Sequence, residues 1–555
     1  MTASQRFLPG LLALLSGTLL GLAFPNHDQP HLIWFGLIPL VAALWSLRET
    51  GKKLRRRAFR LGWLTGFAYF AISVGWVGSV SLFAPEGIAR VGLWCATMLL
   101  PAYLGLYVAL WAVFVATLGK PRFEFKSPGL FTNSVRNLGA GLLSAAAWTG
   151  LEWLRGIAFT GFGWNGLGAA HWSDPTLSQA ADLVGVTGLS FIVALVACTA
   201  TGLVWRMIRE FKSRKLRPHA DFAFVAALVV GQVLYGVGKL QTDFGSTRDL
   251  RTLIVQPDIP QDEKWDGNQA ERIFEILESL TAPYVTTMED LDLVVWPESV
   301  LPMPLDVHFN LRFLSQNLSL GDHNLLLGTN IAVGETEFYN GVALLRNDPV
   351  YERQLYYKTH LVPFGEFVPL RDVFPPFRWV AGAFIPWDFN AGKDHRPLRL
   401  GDTGIEIAPS ICFEDTIGRH TRKFVQKGGG HLLVNVTNDG WFGKSSESRQ
   451  HLANAVFRAI ELRRPMIRCA NSGVSAVIDP LGRVTGMISD PETGSTFVRQ
   501  ARSFTVPVPE KPPTTVYAVF GDVFSIFCGV VALIFVSVRL LDPRQRIRQD
   551  QPLEE

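Results

Sequence analysis

Eight long apolar runs constrain the fold of this 555-residue chain more than any other feature of its sequence. A helix needs about 20 apolar residues to cross a bilayer, and flanking residues let somewhat shorter runs do so. Seven of the runs lie in the first 240 residues, and the eighth follows a long, more polar region. They predict eight transmembrane helices, at residues 8–24, 32–47, 61–80, 91–118, 138–158, 185–205, 222–240 and 516–541.

The distribution of Lys and Arg between these runs predicts an orientation. With the N-terminus in the cytoplasm, the inside connections hold 21 Lys and Arg residues and the short outside loops hold one. Such an asymmetry follows the positive-inside rule. It predicts that residues 241–515 lie on the outer side of the membrane. The inside connections are 48–60, 119–136, 206–217 and 539–548, and the outside loops are 25–31, 81–90 and 159–184.

The composition excludes several classes of protein. Hydrophobic residues make up 48% of the chain and charged residues 18%, so the bulk of it is not disordered. A net charge of +4, from 52 Lys and Arg against 48 Asp and Glu, is too small to indicate nucleic-acid binding. Five Cys are too few for a disulfide scaffold. A transporter would bury ionisable residues in its spans. Here Glu152 and Arg155 are the main exceptions, and a structural pair on one helix face is the simpler interpretation.

Residues 241–505 differ from the rest and predict a separate α/β domain. Amphipathic helices are expected at about 268–287 and 446–463, between short β-branched runs. Strands that alternate with helices indicate a layered domain whose strands are buried. The strand-like runs lie at 252–257, 291–298, 324–330, 353–360, 405–415, 431–439, 465–478 and 496–500. The predicted order is a seven-span bundle at 1–240, the α/β domain at 241–505, a Pro-rich linker at 506–515, the eighth helix at 516–541 and a cytoplasmic tail at 542–555.

Three polar residues in this domain each follow an apolar strand: Glu298, Lys358 and Cys412. Because active sites of α/β sheets gather at the carboxyl ends of strands, we expect these side chains to converge. A Cys becomes a nucleophile when a base takes its proton, and a carboxylate can be that base. A Lys ammonium can stabilise the oxyanion that follows attack on a carbonyl. The three residue types therefore form a set that is able to perform acyl chemistry.

Each of these residues also has an ordinary structural interpretation. A Cys after a strand is usually a small buried hydrophobic residue, and a Glu or Lys there is usually a solvated charge. Cys469 lies within an apolar strand without neighbouring acids, so we expect it in the core. It should be too buried to pair with Cys412 in an oxidising compartment.

The ordered motifs of this region resemble those of the nitrilase, or carbon–nitrogen hydrolase, superfamily. They are WPES at 296–299, YYKTHLVPFGEFVP at 356–369, ICFED at 411–415 and NVTNDGWFG at 435–443. Together with the multi-span N-terminal part and the final span, the chain resembles the apolipoprotein N-acyltransferases, which are membrane-embedded members of that superfamily. The resemblance implies an αββα sandwich on a bundle of eight transmembrane helices. It also implies a triad with Glu298 as general base, Lys358 as oxyanion-stabilising cation and Cys412 as nucleophile.

The same resemblance suggests further site residues. Glu366 and Glu414 match supporting carboxylates, and hydrogen bonding to loop backbone is their alternative role. Phe413 stands where the family often has Tyr, so its backbone N–H remains as an oxyanion donor while a hydroxyl is lost. Trp265 matches a Trp near the substrate. The aromatic segment 371–390 is interpreted as a lid at the membrane interface, although a core hairpin is an alternative. Its predicted substrate-binding residues are Trp379, Phe384 and Trp387.

The implied reaction moves a fatty acyl chain from a phospholipid, with the sn-1 chain of phosphatidylethanolamine as the expected donor. The chain passes through a Cys412 thioester to the α-amino group of the N-terminal diacylglyceryl-cysteine of an apolipoprotein, in a ping-pong cycle. We expect no cofactor, no metal and no nucleic-acid partner, and a monomer in the bacterial inner membrane with its catalytic domain in the periplasm. A membrane-anchored amidase that uses water as acceptor is one alternative. A transporter whose outer domain only binds is another.

Overall fold

The computed structural model describes residues 3–83, 86–125, 129–213, 217–264, 266–301, 305–306, 323–346, 354–369, 371, 388–426 and 429–541. The chain divides into two compact units, Met1–Gln241 with Phe520–Glu555, and Thr242–Val519. In chain order the described α-helices are α1 Ala3–Leu22, α2 Ile33–Gly36, α3 Ile38–Ser46, α4 Gly51–Ser73, α5 Ile88–Thr97, α6 Leu99–Thr117, α7 Thr132–Arg155, α8 Pro175–Ser178, α9 Ala181–Ser213, α10 Ala220–Lys239, α11 Gln261–Lys264, α12 Ala270–Val285, α13 Gly418–Gln426, α14 Glu447–Leu462, α15 Val516–Phe520 and α16 Val523–Leu541.

The first unit is helical, and several of its long helices are apolar. Within the described ranges, four segments are long and apolar enough to cross a membrane, and a pair of helices bent by 54° is a fifth candidate. These numbers do not confirm the eight predicted spans. The segments are Arg90–Thr117, Ala181–Ser213, Ala220–Lys239 and Val523–Leu541, with the bent pair at Gly51–Ser73 and Gly75–Leu82.

The other predicted spans also coincide with helices, but each departs from a simple span. Shorter apolar helices lie at Phe7–Leu22 and Pro30–Ser46. Helix α7 is long, but its first turns carry a polar stretch from Thr132 to Asn137, which lowers its average hydropathy. Length and hydropathy therefore support four or five spans, and the number eight stays a prediction.

Glu152 and Arg155 of α7 have separate polar partners. Glu152 accepts hydrogen bonds from Trp148 Nε1 at 2.9 Å and from Ser190 Oγ at 2.5 Å. Arg155 donates to the carbonyl oxygen of Trp164 at 2.7 Å. Each residue thus has a structural role, because it helps to hold neighbouring segments of the helical unit together through partners of its own.

The second unit is built from two mixed β-sheets. Among the described residues the first sheet has the order β13-β1-β2-β4-β5-β6 with β3 beside β4, and the second has the order β12-β11-β10-β9-β8-β7. Strands β1, β2 and β4 are parallel, as are β8, β9 and β10. The strands are β1 Thr247–Gln256, β2 Leu293–Trp296, β3 Leu305–Asp306, β4 Asn324–Val333, β5 Glu337–Arg346, β6 Gln354–Tyr357, β7 Leu398–Arg399, β8 Glu406–Ile411, β9 Leu432–Thr437, β10 Met466–Ala470, β11 Ala476–Ile478, β12 Val484–Met487 and β13 Gln500–Pro509.

The two sheets face each other and are covered by helices on their outer faces, which confirms the predicted αββα layers. Helix α12 packs on the first sheet, where Leu277 joins Val255 and Trp296 in one hydrophobic core. Helices α13 and α14 pack on the second sheet. Between the sheets, the Cys469 Sγ of β10 lies 3.3 Å from the carbonyl oxygen of Val295 in β2. Cys469 is fully buried and free, as predicted.

The C-terminal edge of this unit differs from the sequence prediction. The expected strand at 496–500 begins only at Gln500 and continues to Pro509, so part of the expected linker 506–515 is strand. Pro507 pairs with Asp249 and Pro509 with Thr247 of β1. Strand β13 is an edge strand. An edge strand tolerates Pro, which lacks an N–H, because it has a hydrogen-bonded neighbour on one side only. A Pro-rich pattern therefore does not by itself exclude a strand there.

Gly328 of β4 lets the backbone before Glu298 approach closely. A Cβ at this position would lie 2.6 Å from the Glu298 Cα and 2.7 Å from the Pro297 carbonyl oxygen. We predict that Gly328→Ala lowers the unfolding free energy of the second unit by about 1–3 kcal/mol, because backbone atoms must shift to make room. The denaturant midpoint of the purified chain measures this change.

The matched control is Gly267→Ala, since a Cβ at Gly267 would meet nothing within 4 Å. It should unfold at the same midpoint as the natural chain. Equal midpoints for Gly328→Ala and Gly267→Ala would contradict the prediction.

Candidate active site

Lys358 forms the centre of the candidate site. It follows β6 directly, its backbone N–H donates to the Asn340 carbonyl oxygen at 2.8 Å, and it is only 1% exposed. Its Nζ lies 2.8 Å from Glu366 Oε1 and 3.5 Å from Glu298 Oε1. Burial alone would disfavour the ammonium, but the carboxylates of Glu366 and Glu298 outweigh it and raise the pKa of Lys358. The residue therefore stays a cation.

The two carboxylates are held together by a residue that the sequence analysis missed. Asn340 of β5 donates its Nδ2 to Glu298 Oε1 at 2.8 Å and to Glu366 Oε1 at 2.7 Å. Glu366 also accepts from the backbone N–H of Val362 at 2.8 Å. Both acids have fixed positions because they share one amide donor as well as the Lys358 ammonium. An Asn inside a strand gives no sequence signal of its own, since only the pairing of β5 with β6 places it here.

Cys412 follows β8 and sits in a strained backbone conformation, with φ of +50°. A positive φ is uncommon for a residue with a side chain and is often found at functional sites. Lost hydration and then the Glu298 charge raise the pKa of the thiol to about 12, while Lys358 and His451 act in the opposite direction. At neutral pH the free thiol is therefore protonated and needs a base to become a nucleophile. Glu298 and Lys358 both act on the thiol electrostatically, so the three predicted residues share one site.

A second buried ammonium, Lys264 at the end of α11, was also missed. It is 0% exposed and donates to the main-chain carbonyl oxygen of Glu298 at 2.8 Å. Burial lowers the pKa of Lys264 to about 8, while the Glu298 and Cys412 charges oppose that shift. The contact holds the backbone that carries Glu298. A buried Lys next to a carboxylate is not visible in a sequence until the fold brings its segment to the strand end.

Glu414 makes the hydrogen bonds to loop backbone that were considered as its alternative role. It is fully buried and accepts from the backbone N–H groups of Thr359 at 2.8 Å, His360 at 3.0 Å and Ile411 at 2.9 Å. Its carboxylate thereby ties the chain after Lys358 to the chain before Cys412, and it contributes to Lys358 only as a nearby charge. The Phe413 ring is buried and stacks on His360 with ring centres 5.5 Å apart.

Behind Cys412 lies a buried ionic cluster, which we define as Asp415, Asp439, Glu447, His451 and Arg468. Asp439, Glu447 and His451 each offer one ligand atom within 4.8 Å of the others, which is compatible with a metal ion. However, Arg468 contacts Asp439 at 2.7 Å and Asp415 at 3.1 Å, so a cation already neutralises these carboxylates. The chemistry of this set fits an internal salt-bridge network better than a metal site, and the absence of a metal from the reaction stays a prediction.

Four aromatic residues complete the predicted substrate contacts. Trp265, Trp379, Phe384 and Trp387 lie outside the described residues. The described residues that flank the aromatic segment are joined, since Arg371 Nη2 lies 2.6 Å from Asp388 Oδ1. The Phe389 backbone N–H donates to the Glu366 carbonyl oxygen at 2.9 Å. The segment therefore begins and ends beside the candidate site.

Comparisons with known proteins match both units. Residues 16–199 match a family model described as the apolipoprotein N-acyltransferase N-terminal domain, and residues 254–502 match the carbon–nitrogen hydrolase model. An apolipoprotein N-acyltransferase of Geobacter metallireducens is 34% identical over 86% of each chain. This chain belongs to the apolipoprotein N-acyltransferase family. The match confirms the resemblance that the motifs suggested, and membership of this family makes the chain an acyltransferase enzyme.

Other relatives extend the match to nearly the whole length. The apolipoprotein N-acyltransferase of Shewanella oneidensis is 30% identical over 96% of this chain and 97% of its own. Among solved structures, a carbon–nitrogen hydrolase from Helicobacter pylori is 13% identical, with a TM-score of 0.35 over 55% of this chain and 98% of that one. The fold assignment depends on the two sheets and on the family match.

The Glu298 charge should control the reactivity of Cys412. We predict that Glu298→Gln lowers the pKa of the thiol, because it removes the anion that raises it. More thiolate then forms at neutral pH, so Cys412 should be alkylated by iodoacetamide faster than in the natural chain. Peptide mass spectrometry after timed alkylation at several pH values measures the rate at Cys412 separately from exposed Cys95.

The matched control is Glu337→Gln, which removes an exposed carboxylate of β5 and should leave the alkylation profile in place. The other charges that act on Cys412, those of Lys358, His451 and Asp439, are kept in both variants. An alkylation midpoint for Glu298→Gln at or above that of the natural chain would contradict this electrostatic assignment.

Proposed function

We propose that this enzyme transfers a fatty acyl chain from a phospholipid to the N-terminal amine of an apolipoprotein through a thioester on Cys412. The donor is the sn-1 chain of phosphatidylethanolamine, and the acceptor is the α-amino group of diacylglyceryl-cysteine. The observation that carries the proposal is the buried Lys358 ammonium, held between Glu298 and Glu366 beside a protonated Cys thiol. A site of this composition provides a nucleophile, a proton acceptor and a fixed positive charge for the oxyanion.

In the first half-reaction Glu298 takes the thiol proton while the Cys412 sulfur attacks the ester carbonyl. The tetrahedral oxyanion receives the Lys358 ammonium and the backbone N–H of Phe413. When the carbon–oxygen bond breaks, the proton on Glu298 passes to the leaving oxygen and lysophospholipid departs. The acyl chain remains as a thioester, and Glu298 is again a carboxylate.

In the second half-reaction the neutral acceptor amine attacks the thioester carbonyl. Glu298 takes the proton that the amine loses, and the same two donors hold the second oxyanion. The carbon–sulfur bond then breaks, the proton returns to the Cys412 sulfur and the amide product leaves. The two substrates use one site in turn, which makes the cycle ping-pong.

The supporting residues act by position. Glu366 neutralises and aims the Lys358 ammonium, since it makes the closer of its two ion pairs. Glu414 fixes the backbone on both sides of the site. Trp265, Trp379, Phe384 and Trp387 remain predicted contacts for the acyl chains. Phe413 contributes its backbone N–H, and its ring has no hydroxyl to place a substrate.

A lipid donor accounts for the apolar helices of the first unit. Pulling an acyl chain into water costs about 0.8 kcal/mol per methylene, so the donor is best taken while its chains stay in a bilayer. We propose that the predicted eight spans anchor the enzyme in the bacterial inner membrane, with the catalytic unit in the periplasm. The excess of Lys and Arg in the inside connections supports this orientation. We further propose that the enzyme acts as a monomer.

The acyl-enzyme is directly testable. Incubation with phosphatidylethanolamine that carries different chains at sn-1 and sn-2 should add the mass of the sn-1 chain to the intact protein. Hydroxylamine should remove it, because it cleaves thioesters. Cys412→Ala should gain no mass, whereas Cys95→Ala, which changes an exposed Cys of the other unit, should be acylated like the natural chain.

Addition of a diacylglyceryl-cysteine peptide to the isolated adduct should move the acyl mass to the peptide, and an N-acetylated peptide should leave it in place. Release of free fatty acid without acylated peptide would support the amidase alternative instead. A folded protein that acquires no adduct would contradict the thioester mechanism.

The orientation has a test of its own. In a Cys95→Ser, Cys412→Ala background, which removes the two cysteines with exposed surface, Lys393→Cys should react with a membrane-impermeant maleimide in spheroplasts. Lys53→Cys, in a connection predicted to be inside, should react only after lysis. Both lysines are exposed, so access to the reagent depends on the side of the membrane. The opposite labelling pattern would overturn the proposed topology.

A further inference from the structure

The ionic cluster behind Cys412 is almost completely buried, and its charges are mutually paired. Its members are between 0% and 3% exposed. His451 Nε2 lies 2.8 Å from Asp415 Oδ1, and its Nδ1 lies 3.1 Å from Asp439 Oδ1 and 3.4 Å from Glu447 Oε1. Burying five ionisable groups costs desolvation free energy, which hydrophobic residues of similar volume would not require. The cluster is therefore a candidate for a role beyond packing.

Two arms run from Arg468 to the nucleophile. In one, Arg468 Nη1 donates to Asn435 Oδ1 at 3.1 Å, and Asn435 Nδ2 donates to the Cys412 carbonyl oxygen at 3.1 Å. In the other, Arg468 Nη1 contacts Asp415 Oδ2 at 3.1 Å, Asp415 contacts His451, and His451 Nε2 lies 3.2 Å from the same carbonyl oxygen. The two arms therefore meet on one atom.

That carbonyl belongs to the peptide group whose N–H is the proposed oxyanion donor. The peptide between Cys412 and Phe413 is planar and trans, so its C=O and N–H point in opposite directions as one rigid unit. Holding the Cys412 oxygen from behind thus aims the Phe413 N–H forward. A positive φ at a residue with a side chain persists where the surrounding structure holds it, and the two donors to the Cys412 carbonyl oxygen supply part of that restraint.

We propose that His451 and Asn435, held by Asp415, Asp439 and Arg468, are positioning residues that orient the Cys412–Phe413 peptide so that its N–H meets the oxyanion. This inference rests on the proposed function, since it assigns the support of that site's oxyanion donor. The alternative for His451 is a general base. It is the poorer assignment, because the ring nitrogens already face carboxylates on both sides.

The charge on His451 agrees with the role of a donor. Burial and Arg468 disfavour the imidazolium, but Asp415 and Asp439 outweigh them and raise the pKa of His451 well above its ordinary value. Both ring nitrogens then carry hydrogens. Glu447, the third carboxylate, has its pKa raised to about 7 by burial and by Asp439, which limits the negative charge of the cluster.

A comparison of two reactions of Cys412 tests the inference. Acylation by p-nitrophenyl butyrate passes through a tetrahedral oxyanion, whereas alkylation by iodoacetamide displaces iodide and forms none. Both reactions require loss of the same thiol proton, so the ratio of their rates at one pH cancels the change in thiol acidity that follows loss of the His451 charge. For His451→Gln and Asn435→Ala the ratio of acylation to alkylation should fall about 10- to 100-fold, because a donor to the oxyanion is misaligned.

The matched controls change a His and an Asn whose hydrogen bonds lie elsewhere than on the Cys412 carbonyl oxygen. His431→Gln changes a His that accepts from the Glu406 N–H, and Asn454→Ala changes an Asn that donates to Gln450 within α14. Both should keep the natural ratio. The double variant His451→Gln, Asn435→Ala should lose less than the product of the single losses, since both residues act on one peptide.

An unchanged ratio in both single variants overturns the inference and makes the cluster a purely structural element. If His451→Gln fails to fold, as shown by its unfolding midpoint, Asn435→Ala decides, because it removes a neutral donor and no charge. A natural chain that is alkylated at Cys412 but never acylated overturns the proposed acyl-enzyme itself, and the inference with it. The ratio thereby separates failure of the positioning role from failure of the function.

Discussion

The site depends on one buried cation. Lys358 is nearly inaccessible to water, and an ammonium in that position is stable only if carboxylates surround it. Glu366 and Glu298 supply them, and Asn340 holds the two acids at the correct separation. Removal of either acid leaves the Lys undercompensated, and removal of the Lys leaves two carboxylates facing each other. The arrangement is therefore cooperative, and each member is fixed by the others before any substrate arrives.

The two sheets contribute different parts of this arrangement. The first sheet and its strand ends bring Glu298, Asn340 and Lys358, which together form the charged half of the site. The second sheet brings Cys412 and, behind it, the cluster around His451. Because the sheets pack face to face, the proposed nucleophile on one is placed near the Lys358–Glu298 ion pair of the other. The αββα layers thus bring together the groups that the proposed reaction needs. Hydrogen bonds from Lys264 and to Glu414 fix the backbone at the ends of the strands.

Sequence reasoning reached the residues that stand at strand ends and carry unusual chemistry. Glu298, Lys358 and Cys412 follow apolar runs, and the motif resemblance added Glu366 and Glu414. Sequence reasoning missed Asn340, Lys264 and the His451 cluster. Each of them reaches the site only through the pairing of strands or through burial against a distant segment. The layered fold was predictable from alternating strands and helices. The edge strand at Gln500–Pro509 was not, since its prolines resemble a linker until the edge position is known.

The proposed reaction does not change the net charge of the site, so it does not need water to stabilise a newly created charge. In the proposed cycle a thiol and a carboxylate become an oxyanion and a carboxylic acid, so the net charge of the site is the same before and during attack. What changes is where the negative charge lies, and it moves from Glu298 towards the substrate while Lys358 keeps its contact with Glu366. The ammonium is then free of one partner at the moment when the oxyanion needs it. Fixed groups that meet a moving charge need little reorganisation, and this is the main way in which an enclosed site stabilises a transition state.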